Sequence, residues 1–328
     1  MKKKELLIVA FVFGKEYQGY IPFFFFSLYK HYPQYDVIVY VDRKINNNTQ
    51  RLVELIPEYG KKYKITMIEK IRNKLSSQQM KAYRWLIYDK VFEQYQYLYI
   101  GDIDIYVCKE SISLCEQHIK HMNLQKLLYS NIVRDYDTPP KWICKYQDTL
   151  RKIRLYNFIV KIYYKFFYHK RLSGLHFVNT ESYYKAIKKQ REKFFKVYYK
   201  TDLLSRLTSI NMKLYSNEAL LYYIVKKSHL KLPNQAGNDE IVLMCDEMGS
   251  YNFRPHHGLH FGIWRNAKKA DEVFDEYMNT KLCQDFYTKF KEEMEYDAIL
   301  KEIVEKSPVK VKKVINTMIC DFENRMSK

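Results

Sequence analysis

The first hundred residues alternate short, wholly apolar runs with amphipathic stretches, and this alternation restricts the fold more than any other feature. Residues 6–13 (LLIVAFVF) and 37–41 (VIVYV) contain no charged or amide side chain. A strand with one wet face alternates apolar and polar residues; a strand covered on both faces does not, so these two runs read as central strands of a layered sheet. Residues 63–69 (YKITMIE) predict a third strand and 97–100 (YLYI) a short fourth. Between them, 20–31, 46–57 and 76–93 carry helical patterning, with Pro22 where a first helical turn tolerates it and Ser76-Ser77 followed by a Gln at capping-box spacing. Strand and helix in alternation predict an α/β fold: a Rossmann-like, mostly parallel sheet with helices on both faces. Ligands on such sheets bind beyond the carboxyl ends of the strands.

The second half is less regular. Strands are expected near 127–130 and 175–179, helices at 181–200 and 217–228, and a dense His/Gly cluster occupies 251–266. Residues 269–305 are charged and helical in pattern. The organisation expected is one catalytic domain over 1–266, with a basic, aromatic insertion at about 135–171, and a helical C-terminal extension over 267–328.

Charge narrows the partners. There are 56 basic and 37 acidic residues, a net charge of +19, and 47% of the chain is apolar. Wholesale disorder and a solvated acidic protein are excluded, and phosphates, nucleic acid or anionic lipid are the matching partners. Part of the basic signal is discounted, because abundant Lys, Tyr, Asn and Ile also follow from AT-rich coding. Cys108, Cys115, Cys144, Cys245, Cys283 and Cys320 form no CxxC pair, so they read as reduced thiols rather than a disulfide scaffold or structural zinc site. The apolar run behind the N-terminal lysines is too short for a signal peptide, and no run approaches the roughly 20 residues of a membrane span. The expected location is the cytoplasm, at most the inner face of a membrane. Residues 151–171 read first as an amphipathic helix packed on the core, and their pattern would also suit an interfacial helix on anionic lipid.

The most informative segment is Tyr97-Leu98-Tyr99-Ile100-Gly101-Asp102-Ile103-Asp104. In an extended segment residues i and i+2 point the same way, so Asp102 and Asp104 would converge on one hard cation, Mg²⁺ or Mn²⁺. The alternative is a polar turn that ends a strand.

Together with Ala82-Tyr83-Arg84-Trp85-Leu86 and Tyr88-Asp89-Lys90-Val91, this segment resembles the heart of a GT-A glycosyltransferase, a nucleotide-diphospho-sugar transferase. It is closest in style to glycosyltransferase family 8, the glycogenin and bacterial lipopolysaccharide galactosyl- or glucosyltransferase type. Gly101 departs from that pattern, as a distant or separate family would. Leu172-Ser173-Gly174 through Asn179 resembles the segment that lines the donor-sugar and acceptor side, and Tyr215 through Leu221 a helix start beneath the transferred sugar. The latter reads equally as an N-cap. Pro255 through Arg265 resembles the motif whose His completes the metal site.

The resemblance implies a metal-dependent hexosyltransferase. Asp102, Asp104 and His260, with His257 as rival, would hold Mn²⁺ or Mg²⁺. Arg265 (or Lys268) and Arg84 would face the diphosphate. Phe11 and Tyr20 would sit against the uridine, and Ile103, Ser173, Gly174 and Gly262 would line the donor. Asn217 and Glu218 would lie beneath the sugar. The implied donor is a UDP-sugar, galactose first and glucose second. The implied acceptor is a surface glycan or glycolipid (lipopolysaccharide, O-antigen or capsule), with retention at the anomeric carbon. An inverting enzyme would use Glu218 or Asp239-Glu240 as base. A nucleic-acid binder is the competing class; it gains nothing from paired carboxylates, and its sequence signatures are missing, so no nucleic acid is expected among the partners.

Overall fold

The structure is a computed structural model, and it describes residues 3–68, 77–134, 170–199, 217–233, 257–265 and 278–327. In chain order the elements begin with β1 (Lys4–Val12), α1 (Ile21–His31), β2 (Asp36–Val41), α2 (Asn47–Glu54), β3 (Tyr63–Met67), α3 (Ser77–Leu86), β4 (Tyr95–Gly101) and β5 (Ile105–Val107). There follow α4 (Leu114–Gln125), β6 (Tyr129–Ser130), β7 (Val133–Arg134), β8 (Arg171–Leu172), β9 (His176–Asn179), α5 (Thr180–Tyr199) and α6 (Asn217–Lys227). The last are β10 (Gly258–His260), α7 (Lys281–Tyr296), α8 (Ala298–Lys306) and α9 (Val309–Met326).

The chain adopts the α/β fold expected. Six strands form one sheet in the order β3-β2-β1-β4-β9-β6. β3, β2, β1 and β4 are parallel; β9 runs antiparallel to β4 and to β6. The alternation of side chains along β1 divides the core in two. Leu6, Ile8, Ala10 and Val12 join α1, α2 and α7–α9 on one face, whereas Leu7, Val9 and Phe11 join α3, α5 and α6 on the other. This is why the run is apolar at every position: both faces are covered. The strand order reverses between β1 and β4, and a crevice at the carboxyl ends of the strands is expected at such a switch point.

Local chemistry sets the element ends. Asn46 caps α2 by accepting from Thr49 N at 2.9 Å, and Ser113 and Glu116 close a capping box on α4. The stretch expected to be one helix over 76–93 stops at Leu86. Asp89 accepts from Val91 N at 3.0 Å and from the Tyr40 hydroxyl at 2.7 Å, starting a separate 3-10 turn at Lys90–Gln94. Asp297 divides the charged C-terminal stretch in the same way: it ends α7 and caps α8 through Ile299 N and Leu300 N.

Helices α7–α9 pack into the same apolar cluster as α1 and β5, through Phe286, Phe290, Leu300, Ile303, Ile315 and Phe322. Glu293 on α7 accepts from the Tyr106 hydroxyl and lies 3.2 Å from His31 Nε2, which ties α7 to β5 and α1. Among the described residues many large aromatics sit in this core, including Phe23 to Phe26, Tyr63 and Tyr106. Among the described residues no helix is long and apolar enough to cross a membrane, and the four described cysteines, Cys108, Cys115, Cys283 and Cys320, are free thiols. Cys144, Cys245 and the expected interfacial helix, except its last two residues, lie outside the described residues.

Candidate active site

The site is organised by a two-stranded ribbon. β5 pairs antiparallel with β10, placing His260 opposite Ile105, Leu259 opposite Tyr106 and Gly258 opposite Val107. Phe261 N continues the ladder to Asp104 O at 2.9 Å. Gly258 permits this closeness: at φ +155° a Cβ would lie 1.9 Å from Tyr106 O. The chain distance between Asp104 and His260 is thus cancelled by main-chain hydrogen bonds, beyond the carboxyl end of β4.

Two side chains, His260 and Arg265, meet the Asp104 carboxylate. His260 Nε2 is 3.4 Å from Asp104 Oδ1. The Arg265 guanidinium contacts Oδ2 with one nitrogen and the Tyr17 hydroxyl with the other. Its carbon lies 4.7 Å from the centroid of the Tyr17 ring. Gly262 leaves the room: a Cβ there would fall 2.7 Å from Arg265 Nη2 and 2.8 Å from both Asp104 Oδ2 and His260 Nε2. Asp104 is buried. Burial opposes its ionisation, but His260 and Arg265 outweigh it and hold the carboxyl below its ordinary range. Burial likewise opposes a charge on His260, and Asp104 outweighs it, raising the imidazole above its ordinary value.

Asp102 belongs to a second group. Its Oδ1 accepts from Arg84 Nη1 at 2.6 Å. A Cβ on Gly174 would lie 3.0 Å from Arg84 Nη2, 3.2 Å from Glu218 Oε1 and 3.4 Å from Asp102 Oδ2, so these three atoms border one space that Gly174 keeps open. The other Glu218 oxygen accepts from Arg171 Nη1 at 3.0 Å. Arg84 also lies over Trp85, 4.3 Å from the ring centroid. Asn131 holds the Gly174 loop: its amide donates to Ser173 O and Leu175 O at 3.1 and 2.8 Å, and its oxygen accepts from Ser173 N at 2.7 Å.

Several expectations need correction. Ile103 and Asp104 form a turn between β4 and β5, so strand alternation does not set their side chains; Asp102 contacts Arg84 and Asp104 contacts His260 and Arg265, while both carboxylates act electrostatically on the His260 imidazole. Among the described residues no group of three or more His, Cys, Asp or Glu closes into a metal site. His257 is not beside Asp104. It precedes β10 in the left-handed region at φ +60°, with Nδ1 2.5 Å from Glu110 and Nε2 3.2 Å from His118 Nε2 in a buried histidine cluster. The Ile103 side chain is buried in the core, which leaves only its main chain for a ligand. Phe11 stacks on Tyr40 at 5.2 Å and Tyr20 on Phe261 at 6.0 Å, so both rings are buried; the half-buried rings nearby are Phe13 and Tyr17. Burial pushes the Tyr20 hydroxyl up to about 12.

Ser173 is buried, and Asn217 opens α6 half-buried. Lys268, Asp239 and Glu240 lie outside the described residues. Tyr17, Asn131 and Arg171 were not singled out from the sequence. Each makes its defining contact with residues at least 40 positions away, which leaves no local signal.

The arrangement fits a divalent cation in its donor chemistry. Carboxylate oxygen and imidazole nitrogen meet at Asp104 and His260, with Gly262 bare beside them.

No protein-family model matches the chain, and no curated protein does. Among solved structures the chain is similar to the mannosyltransferase Ktr4p from S. cerevisiae in complex with GDP, at 11% identity, TM-score 0.43, covering 69% of this chain and 68% of that one. It is similar to core-mannan synthase A from Aspergillus fumigatus in its Mn/GDP form, at 10% identity, TM-score 0.38, covering 67% and 69%. It is also similar to the galactosyltransferase LgtC in complex with donor and acceptor sugar analogues, at 12% identity, TM-score 0.34, covering 66% and 69%.

Proposed function

We propose that this protein is a glycosyltransferase that moves a hexose from a nucleoside-diphosphate sugar to a glycan acceptor. The observation that carries the reading is the β5–β10 ribbon, which gathers Asp104, His260 and Arg265 at the carboxyl end of a parallel sheet. Beside them, the space bordered by Asp102, Arg84 and Glu218 offers carboxylate acceptors and a guanidinium donor around a bare Gly174. That mixture suits the hydroxyls of a sugar ring.

The donor we assign is a UDP-hexose, galactose ahead of glucose, and the acceptor a surface glycan, both on the sequence resemblance. Mn²⁺ or Mg²⁺ held by Asp102, Asp104 and His260 would supply positive charge to the departing diphosphate. Arg265, a planar fork at the same place, binds phosphate oxygens bidentately. Arg84 holds Asp102 and turns its second nitrogen to the sugar. Glu218, pinned by Arg171, presents Oε1 to the same space. We assign retention at the anomeric carbon, with Asn217 and Glu218 beneath the ring.

Thermal unfolding with Mn²⁺ plus UDP, repeated with GDP and with Asp104→Asn, tests the reading. A ligand that binds only the folded state raises the midpoint. A rise with Mn²⁺–UDP that GDP does not match and the variant lacks supports a UDP donor; a rise with GDP alone moves the donor to the GDP class. No rise with either nucleotide rejects the assignment.

A further inference from the structure

Asp104 is a buried carboxylate, and a buried charge left without a counter-charge is costly. Its two oxygens are divided: Oδ1 faces His260 and Oδ2 is taken by the Arg265 guanidinium. A divalent cation bound to Asp104 would meet the guanidinium at van der Waals range, and like charges so close repel. Only one of the two cations can be seated on Oδ2.

The guanidinium is built to leave. Its side chain keeps 34% of its exposure, against 4% for Asp104. It has a second support besides the carboxylate: the Tyr17 hydroxyl accepts from its other nitrogen, and the Tyr17 ring centroid lies 4.7 Å from the guanidinium carbon. Releasing Asp104 therefore costs Arg265 one of two supports. The crowding of Arg265 Nη2, Asp104 Oδ2 and His260 Nε2 within 2.8 Å of a single Cβ position is possible because residue 262 is glycine.

We propose that Arg265 is an internal counter-cation that competes with the divalent metal for Asp104 and that a diphosphate, by engaging the guanidinium fork, draws it away. The inference rests on the metal-assisted transferase reading above. It makes metal alone a weak ligand and metal with diphosphate a strong one, and the coupling acts equally in both directions.

The test is Mn²⁺ binding by the full chain, read from the electron paramagnetic resonance of free aquo Mn²⁺, with binding of preformed manganese–pyrophosphate read by calorimetry. Arg265→Gln is expected to bind Mn²⁺ alone about tenfold more tightly than the wild type, within the usual range of such couplings. It should bind manganese–pyrophosphate more weakly. Arg265→Lys, which keeps the charge, should stay near wild type for Mn²⁺, and unfolding midpoints verify that both variants are folded. An Arg265→Gln affinity for Mn²⁺ equal to or below wild type overturns the inference. If that happens while Asp104→Asn loses Mn²⁺, the metal reading survives and only the competition falls. If Asp104→Asn binds Mn²⁺ as the wild type does, the metal does not sit on Asp104 and both fall.

Discussion

His260 Nε2 and Asp104 Oδ1 lie 3.4 Å apart because Phe261 N bonds Asp104 O, one step beyond the His260–Ile105 pair of the ribbon. The pair is therefore held by main chain. Asp104→Asn and His260→Ala should each abolish the Mn²⁺-dependent rise in unfolding temperature. They should lower transferase activity more than the roughly 10–100-fold that loss of an outer-shell partner costs. Activity within threefold of wild type for either variant would remove that residue from the metal set.

The pH dependence follows from the same pair. His260 is raised and Asp104 lowered. The stability from a raised imidazole is complete below its ordinary value and is lost as pH rises through the folded one. That from a lowered carboxyl is present above its ordinary value and is lost as pH falls through the folded one. The His260–Asp104 contact should therefore stabilise the metal-free protein most in mildly acidic solution. Metal requires the neutral imidazole, so Mn²⁺ affinity should rise with pH through the raised value. Titrations at stepped pH check this, and a flat profile from mildly acid to mildly alkaline solution excludes His260 as a ligand.

Two glycines separate fold from site. In Gly258→Ala the new methyl would overlap Tyr106 O, a backbone atom, at φ +155°. A loss of about 2–4 kcal/mol in chemical denaturation is expected. In Gly262→Ala the atoms nearest the methyl are side-chain ends of Arg265, Asp104 and His260 rather than backbone, so the unfolding midpoint should move by no more than about 3 °C while the Mn²⁺ response disappears. The reverse ranking would show that the ribbon is not what gathers the site.

His176 supplies a prediction independent of any ligand. It is buried, and burial, helped by Arg84, pulls its imidazole down to about 3. Its Nδ1 lies 2.9 Å from Asn131 Nδ2, which donates to it. The unfolded chain binds a proton at this residue below about pH 6.5 and the folded chain does not, so stability falls as pH drops from there toward the folded value, by about 1.4 kcal/mol per pH unit. His176→Phe keeps a ring among Trp85, Tyr129 and Tyr183 and should make the acid slope shallower by that amount. An unchanged difference between pH 6 and pH 4 would mean that His176 is protonated in the fold.

The sheet was readable because burial on both faces writes itself into consecutive residues: Leu6 through Val12 sort alternately into the two cores without a polar break. The acidic loop was readable as chemistry; the partners of each carboxylate were not. Strand alternation is interrupted by the turn at Ile103–Asp104, so it could not tell that Asp102 contacts Arg84 and that Asp104 contacts His260. The His cluster was readable as a cluster; which ring faced the site depended on the ribbon register, set by Gly258 against Tyr106. Tyr17, Asn131 and Arg171 carry no periodic or motif signal, since their partners Arg265, Ser173 and Glu218 lie at least 40 positions away in the chain.

Arg171 shows how such a residue acts without facing the shared space itself. Its Nη1 donates to Glu218 Oε2 at 3.0 Å, leaving Oε1 toward the space beside Gly174. Arg171 sits on β8, next to Leu172, which pairs with Val133 of β7, while Glu218 sits in the first turn of α6. The contact therefore joins two elements and fixes the carboxylate orientation from outside its own helix. A carboxylate free to rotate loses the orientation on which a reacting group depends, and small misplacements cost up to about a hundredfold. Arg171→Gln should lower kcat by about 10–100-fold with a smaller change in donor KM. Arg171→Lys, which restores a cation to Oε2, should recover most of the loss. If Gln and Lys variants lose kcat equally and unfold at equally lowered temperatures, Arg171 supports the fold and not Glu218. If neither changes kcat, Glu218 is not held for the reaction.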